Sequence, residues 1–171
     1  MLVGVAAVAA GCFRVPVEAP KAESSKPSIV PMPDAASMQQ VIQPAREFVV
    51  LNQLQDATGM FGWVACGGQN EALYYGEVRL TFLLPKDVDE DRYIKQIVKM
   101  MVSHGWMDGP AAGDRSFGAQ VHTNEVRAAI NGGNVYARER GTIRLSGECR
   151  NTSDHRDDSR EIDITDQLTQ R

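Results

Sequence analysis

The sequence predicts an α+β domain, a two-layer sandwich in which helices pack on one face of an antiparallel sheet. Three patterns predict it. Val78, Leu80, Phe82 and Leu84 alternate with Glu77, Arg79 and Thr81, the period of two of a half-buried strand, and the run stops at Pro85. Ile94, Ile97, Val98 and Met101 recur at helical spacing, which gives a helix one apolar stripe. Alternation returns from Thr142 to Cys149, with Ile143, Leu145 and Cys149 on one face and Thr142, Arg144, Ser146 and Glu148 on the other. Strands in series with two helices on one side suit an antiparallel sheet with one covered face.

The elements follow in order. Leu2 to Ala10 has the length and composition of a signal-peptide apolar region, and Val8-Ala9-Ala10-Gly11 places small residues just before Cys12. That is the form of a lipoprotein cleavage box, so residues 1–12 read as a lipoprotein signal with Cys12 as the lipidated residue. No Lys or Arg stands at the front of the run, a departure from the usual charged leader. Residues 13–37 are rich in Pro, Ala, Ser and Lys, and Pro16, Pro20, Pro27, Pro31 and Pro33 deny regular structure, which describes a flexible stalk. The domain is expected over 38–150. It opens with a helix in which Met38, Val41, Ile42, Ala45 and Val49 share a face, and Pro44 is expected to kink or restart it. Phe61 to Cys66 reads as a short strand. Asp87 or Asp89 caps the helix that runs to His104, where Gly105 supplies a left-handed stop and Lys95 and Lys99 face water. Within the glycine-rich stretch from Gly105 to Gly133, Ala119 to Thr123 fits a strand and Glu125 to Ile130 fits a strand or a short helix. Val135 to Arg138 precedes the closing strand. Residues 151–171 hold Asp154-His155-Arg156-Asp157-Asp158 and few large apolar side chains, the composition of a polar disordered tail, with at most a transient turn of helix over 161–168.

Composition narrows the function. The chain has 171 residues, 43% apolar and 23% charged, and a formal charge of -4, so it offers no overall positive field for nucleic acid. Its only continuously apolar run, Met1 to Gly11, is far shorter than the roughly 20 residues of a membrane-spanning helix. His104, His122 and His155 are scattered and read as surface or helix-end residues, none at metal-ligand spacing with a Cys or carboxylate. Asn131-Gly132-Gly133-Asn134 lacks the Lys-Ser/Thr of a phosphate loop and reads as a hairpin connection. The acidic run Asp87 to Asp91 lacks the glycine and terminal glutamate of a calcium loop and reads as the charged first turn of a helix. No catalytic residue, metal site or cofactor is expected, and the reading is of a non-enzyme.

Several motifs together resemble a known family: the cysteine box, the stalk and helix, Phe61-Gly62-Trp63-Val64-Ala65-Cys66, the turn His104-Gly105-Trp106, and the closing Gly147-Glu148-Cys149. They resemble the LppA-like lipoproteins of mycobacteria and related actinobacteria, over about residues 37–150. The resemblance implies an envelope lipoprotein with an α+β fold and no established catalytic activity, and a phage-encoded member is a further idea. The expected place is the extracytoplasmic face of the cell membrane, held there by the lipid anchor. The expected role is a non-catalytic interaction module meeting another envelope protein. Two alternatives stand: a carrier of lipid or a small apolar ligand, and a phage protein that blocks superinfection. A carrier needs an enclosed apolar cavity, an interaction module an exposed apolar or aromatic patch. With Cys12 lipidated, Cys66 and Cys149 remain, and two core-facing cysteines in an exported protein are expected to pair as a disulfide.

Overall fold

In the computed structural model, residues 30–67, 73–114, 116–133 and 137–169 are described. The expected signal segment, with Cys12, and most of the expected stalk lie outside them. Helix α1 (Asp34–Leu51) starts inside the expected stalk, directly after Pro33, and buries Val41, Ile42, Ala45, Phe48 and Val49. It continues through Pro44 without a break, so the expected restart does not occur. Strands β1 (Gln55–Ala65) and β2 (Tyr74–Leu83) are longer than their sequence patterns suggested and pair antiparallel. Helix α2 (Glu90–Ser103) is capped by Asp89, whose carboxylate accepts the Arg92 N–H at 2.9 Å. It ends before Gly105, whose φ of +95° is the left-handed stop that the sequence requires there.

The ambiguous region resolves into β3 (Met107–Asp108), β4 (Ala119–His122) and β5 (Arg127–Asn131), the last being the strand and not the helix. Residues 137–139 lead by a turn into β6 (Arg140–Ser146). The closing strand therefore ends before Cys149, which is half-buried just beyond it and is not a core residue of the strand. All seven strands form one antiparallel sheet in the order β3-β4-β5-β6-β2-β1-β7, which is the predicted α+β class.

The expected disordered tail is instead part of the fold. Strand β7 (Ile162–Asp163) pairs with Met60 and Phe61 of β1, and helix α3 (Thr165–Thr169) buries Leu168 against α1 and β1. The sparse apolar residues of this segment, Ile164 and Leu168, are both fully buried, so two side chains placed four apart give it enough purchase. Alternation in the strands sets one covered face: Phe61, Val78, Leu80, Phe82, Ile130, Ile143 and Leu145 meet Val41, Phe48, Ile97 and Met101 of the helices in one core. Both edge strands are two residues long, which leaves little unpaired edge to recruit another chain.

Candidate functional site

Two places carry polar chemistry beyond ordinary surface. The first joins the C-terminal segment to the start of α1. The His155 side chain is only 4% exposed, lies stacked on Trp63 with ring centroids 3.9 Å apart, and meets Tyr74 edge-on at 5.2 Å. Its Nδ1 lies 2.7 Å from Asp158 Oδ2, and its Nε2 lies 3.2 Å from Asn151 Oδ1 and 3.5 Å from Asp34 Oδ1. Asn151, fully buried, has its orientation fixed, because Oδ1 also accepts the Ser153 N–H at 2.8 Å while Nδ2 donates to Asp34 Oδ1 at 2.8 Å. The expectation that His155 is a surface residue is therefore overturned: the Trp63 stack, the edge contact with Tyr74 and polar partners at both ring nitrogens bury it. The stacked ring and occupied nitrogens make it a clamp and leave no nitrogen free to act as an acid or base on a substrate.

Hydrogen bonds from Asn151 and then Ser153 hold the Asp34 carboxyl below its ordinary value, with the His155 charge adding to the effect. At the other end of the segment, Asp163 is held low by the Thr165 N–H, which its carboxylate accepts at 2.9 Å in the turn that leads into α3. A carboxyl depressed in the folded state stabilises the fold fully above its unfolded pKa, about 3.9, and the contribution is lost as pH falls through the folded value. The urea midpoint is thus expected to drop as pH falls below about 4, and Asp34→Asn should lower the midpoint near neutral pH while flattening that drop. Identical pH profiles for the variant and the wild type would remove Asp34 from the clamp. The Asp34 side chain is 50% exposed, so the expected change is small.

The second place is the sheet face that no helix covers. Register lays its side chains out as rows across β5, β6, β2 and β1. Arg127, Ser146, Glu77 and Gly62 form one row, Ala129, Arg144, Arg79 and Met60 the next, and Asn131, Thr142, Thr81 and Thr58 the third. Arg79 and Arg144 stand directly opposite each other, a like-charge pairing that costs stability unless an anion intervenes. Glu77 supplies part of that anion, with Oε1 3.6 Å from Arg79 Nε and 3.7 Å from Arg144 Nε. Arg79 also meets Glu161, and Arg140 at the margin meets Asp56. Arg127 lies 6.0 Å from the Tyr75 ring centroid, and no carboxylate among the described residues forms an ion pair with it. Burial pushes the Tyr75 phenol above its ordinary range, and Glu77 adds to the rise while Arg127 and Arg144 oppose it.

The loop between β3 and β4 folds back along this face. Gln120 Nε2 donates to the Ser116 carbonyl, Asp114 accepts from Ser116, and Gly118 turns the chain into β4 with a φ of +100° that other residues rarely adopt. The loop presents Phe117, 90% exposed, as one wall of a recess of about 300 Å³ whose floor includes Thr81, Thr142 and Ala129 and whose flanks are Arg79 and Arg144. Such a site can hold a carboxylate or phosphate by charge-assisted hydrogen bonds and press an apolar group against a ring. No nucleophile and base stand together in it.

Of the residues singled out in the sequence, the structure brings Cys66 and Cys149 together as a disulfide with α-carbons 5.9 Å apart, linking the ends of β1 and β6 across β2. His104 lies at the exposed end of α2, its Nδ1 2.9 Å from the Met100 carbonyl, and the half-buried His122 has its Nδ1 3.1 Å from the Gly109 carbonyl. The clamp and the arginine rows were both missed. The alternation of Arg79 with Thr81 and of Arg144 with Thr142 was visible, but the register that sets the two arginines opposite each other was not.

The family model that matches the chain is described as "Putative lipoprotein LppJ" and covers residues 33–167. A protein of that same description from Mycobacterium bovis (strain ATCC BAA-935 / AF2122/97) is 38% identical over 169 residues, which are 97% of this chain and 88% of its own. Another, from Mycobacterium tuberculosis (strain CDC 1551 / Oshkosh), is 38% identical over 164 residues, 94% of this chain and 86% of its own. No solved structure matches. The mycobacterial lipoprotein character agrees with the resemblance drawn from the motifs, but the family is LppJ and not LppA-like: the short motifs on which that assignment rested are too loose to separate the two. A phage origin gains no support from these matches.

Proposed function

The chain belongs to the LppJ family of lipoproteins, and from that premise we propose that it is anchored in the cell envelope by lipid on Cys12 and acts there as a non-catalytic interaction module. The observation that carries the reading is the uncovered sheet face, where arginines and Tyr75 stand on the strands with the exposed Phe117 of the β3–β4 loop beside them. Arginine and aromatic side chains are the residues most enriched where proteins bind one another. The space between helices and sheet, where a carrier would hold its cargo, is filled by Phe48, Phe61, Phe82, Leu80 and Met101, each fully buried. That favours an interaction module over the carrier. The segment from Val30 to Pro33 runs beside Arg150, whose carbonyl accepts the Met32 N–H at 2.7 Å and whose Nε donates to the Val30 carbonyl at 2.9 Å. The domain therefore grips the chain at the point where it leaves toward the proposed anchor.

Affinity capture of the lipidated full chain after cross-linking in its own envelope tests the reading. The same envelope protein should be recovered in replicate experiments and should be lost with an unrelated lipoprotein as bait. Recovery of extractable lipid in stoichiometric amount, without a protein, would contradict it and favour the carrier.

A further inference from the structure

The uncovered sheet face also indicates what kind of partner it meets. Resting on the interaction reading above, we propose that this face docks an acidic polypeptide segment, with carboxylates seated between Arg79, Arg144 and Arg127 and an apolar side chain against Phe117. Strands β2, β5 and β6 carry Arg79, Arg127, Arg140 and Arg144 on this face against Glu77, with Asp163 of β7 farther out, opposite Met60, while the whole chain has a net charge of -4. Asp56 and Glu161 each take a guanidinium at the margin. In the centre Glu77 is shared between Arg144 and the same Arg79 that meets Glu161, and Arg127 has no carboxylate partner among the described residues. Two arginines fixed directly opposite each other weaken the sheet, and an arriving carboxylate turns that cost into binding.

A short protein segment fits better than an anionic bilayer. Charges are screened within about 8 Å at physiological salt, so a narrow ligand senses only the local arginines, whereas a broad anionic surface also meets the negative remainder of the molecule. Among the described residues Phe117, at 90%, is the most exposed large apolar side chain, and a single such wedge suits a groove ligand more than membrane insertion.

The test uses the disulfide-bonded full chain and three probes: a labelled peptide of alternating glutamate and valine, its glutamine counterpart, and phosphatidylglycerol vesicles. The acidic peptide should bind, should weaken on adding salt, and should lose about tenfold in affinity with Arg144→Thr and also weaken with Phe117→Ala. Because Arg144→Thr removes the opposed like charges, its urea midpoint should be unchanged or higher, so lost binding cannot be ascribed to misfolding. Equal binding of the glutamine peptide, undiminished binding by Arg144→Thr, or binding of vesicles but not peptide would overturn the proposal. A photo-crosslinking residue placed at Phe117, and in a separate variant at Lys99 on the outer side of α2, separates this proposal from the one it rests on. Envelope crosslinks from Phe117 support both. Crosslinks from Lys99 alone overturn this face but keep the interaction reading, and none from either overturns both.

Discussion

Leu168→Ala is expected to destabilise the domain by about 2–5 kcal/mol, the usual cost of emptying a fully buried leucine site. Leu168 and Ile164 are both at 0% exposure, and β1 approaches them closely: a methyl group added to Gly59 would come within 2.9 Å of Leu168 Cδ1. A glycine with so little room beside it means that the C-terminal helix sits directly on the strand. The cavity left by alanine cannot be closed by the backbone, which is held there by the Ile164 N–H bonded to the Gly59 carbonyl at 2.9 Å. The loss would be a large share of the roughly 5–15 kcal/mol that keeps a domain folded. Urea unfolding followed by circular dichroism measures it, and a change below about 1 kcal/mol would mean that residues 162–169 are dispensable to the fold.

Replacing both disulfide cysteines, as Cys66→Ser with Cys149→Ser, is expected to cost about 2–4 kcal/mol. The bridge spans 83 positions and encloses β2, α2 and β3 to β6, so its removal frees most of the domain in the unfolded chain. The chain-entropy view puts the upper figure for such a loop at about 4.5 kcal/mol. Both cysteines lie just outside strands and are half-buried, so serine at these places adds little desolvation cost and the measured change reports the crosslink itself. The native protein and the double variant, compared by urea unfolding, should differ in midpoint, and adding a reductant should lower the midpoint of the native protein only. Coincident curves would show that the bridge contributes nothing to stability.

Much of the fold was legible because its signals are local. The alternation at Val78 to Leu84, the apolar stripe of α2 with Asp89 before it and Gly105 after it, and the alternation from Thr142 onward each report burial of one face. The C-terminal segment was not legible, because its two anchoring side chains sit among Asp, Ser and Arg, and composition alone does not reveal that a groove beside Gly59 and α1 awaits them. His155 was misread for the same reason. Its partners Asp34, Trp63 and Tyr74 come from distant parts of the chain, and only the sheet brings them within reach. Pro44 shows the opposite error, a local rule overridden when tertiary packing of Val41, Ala45 and Phe48 holds the helix on both sides of the proline. The candidate site on the uncovered face depends wholly on register, which a single sequence does not supply.

The proposed lipid anchor on Cys12 is tested most directly by labelling cells with a clickable fatty acid, with wild type and Cys12→Ser expressed side by side. The wild-type chain should carry the label and partition into the detergent phase, while the Cys12→Ser chain should carry none and stay in the aqueous phase. A Cys12→Ser chain that is still labelled and still enters detergent would contradict the account.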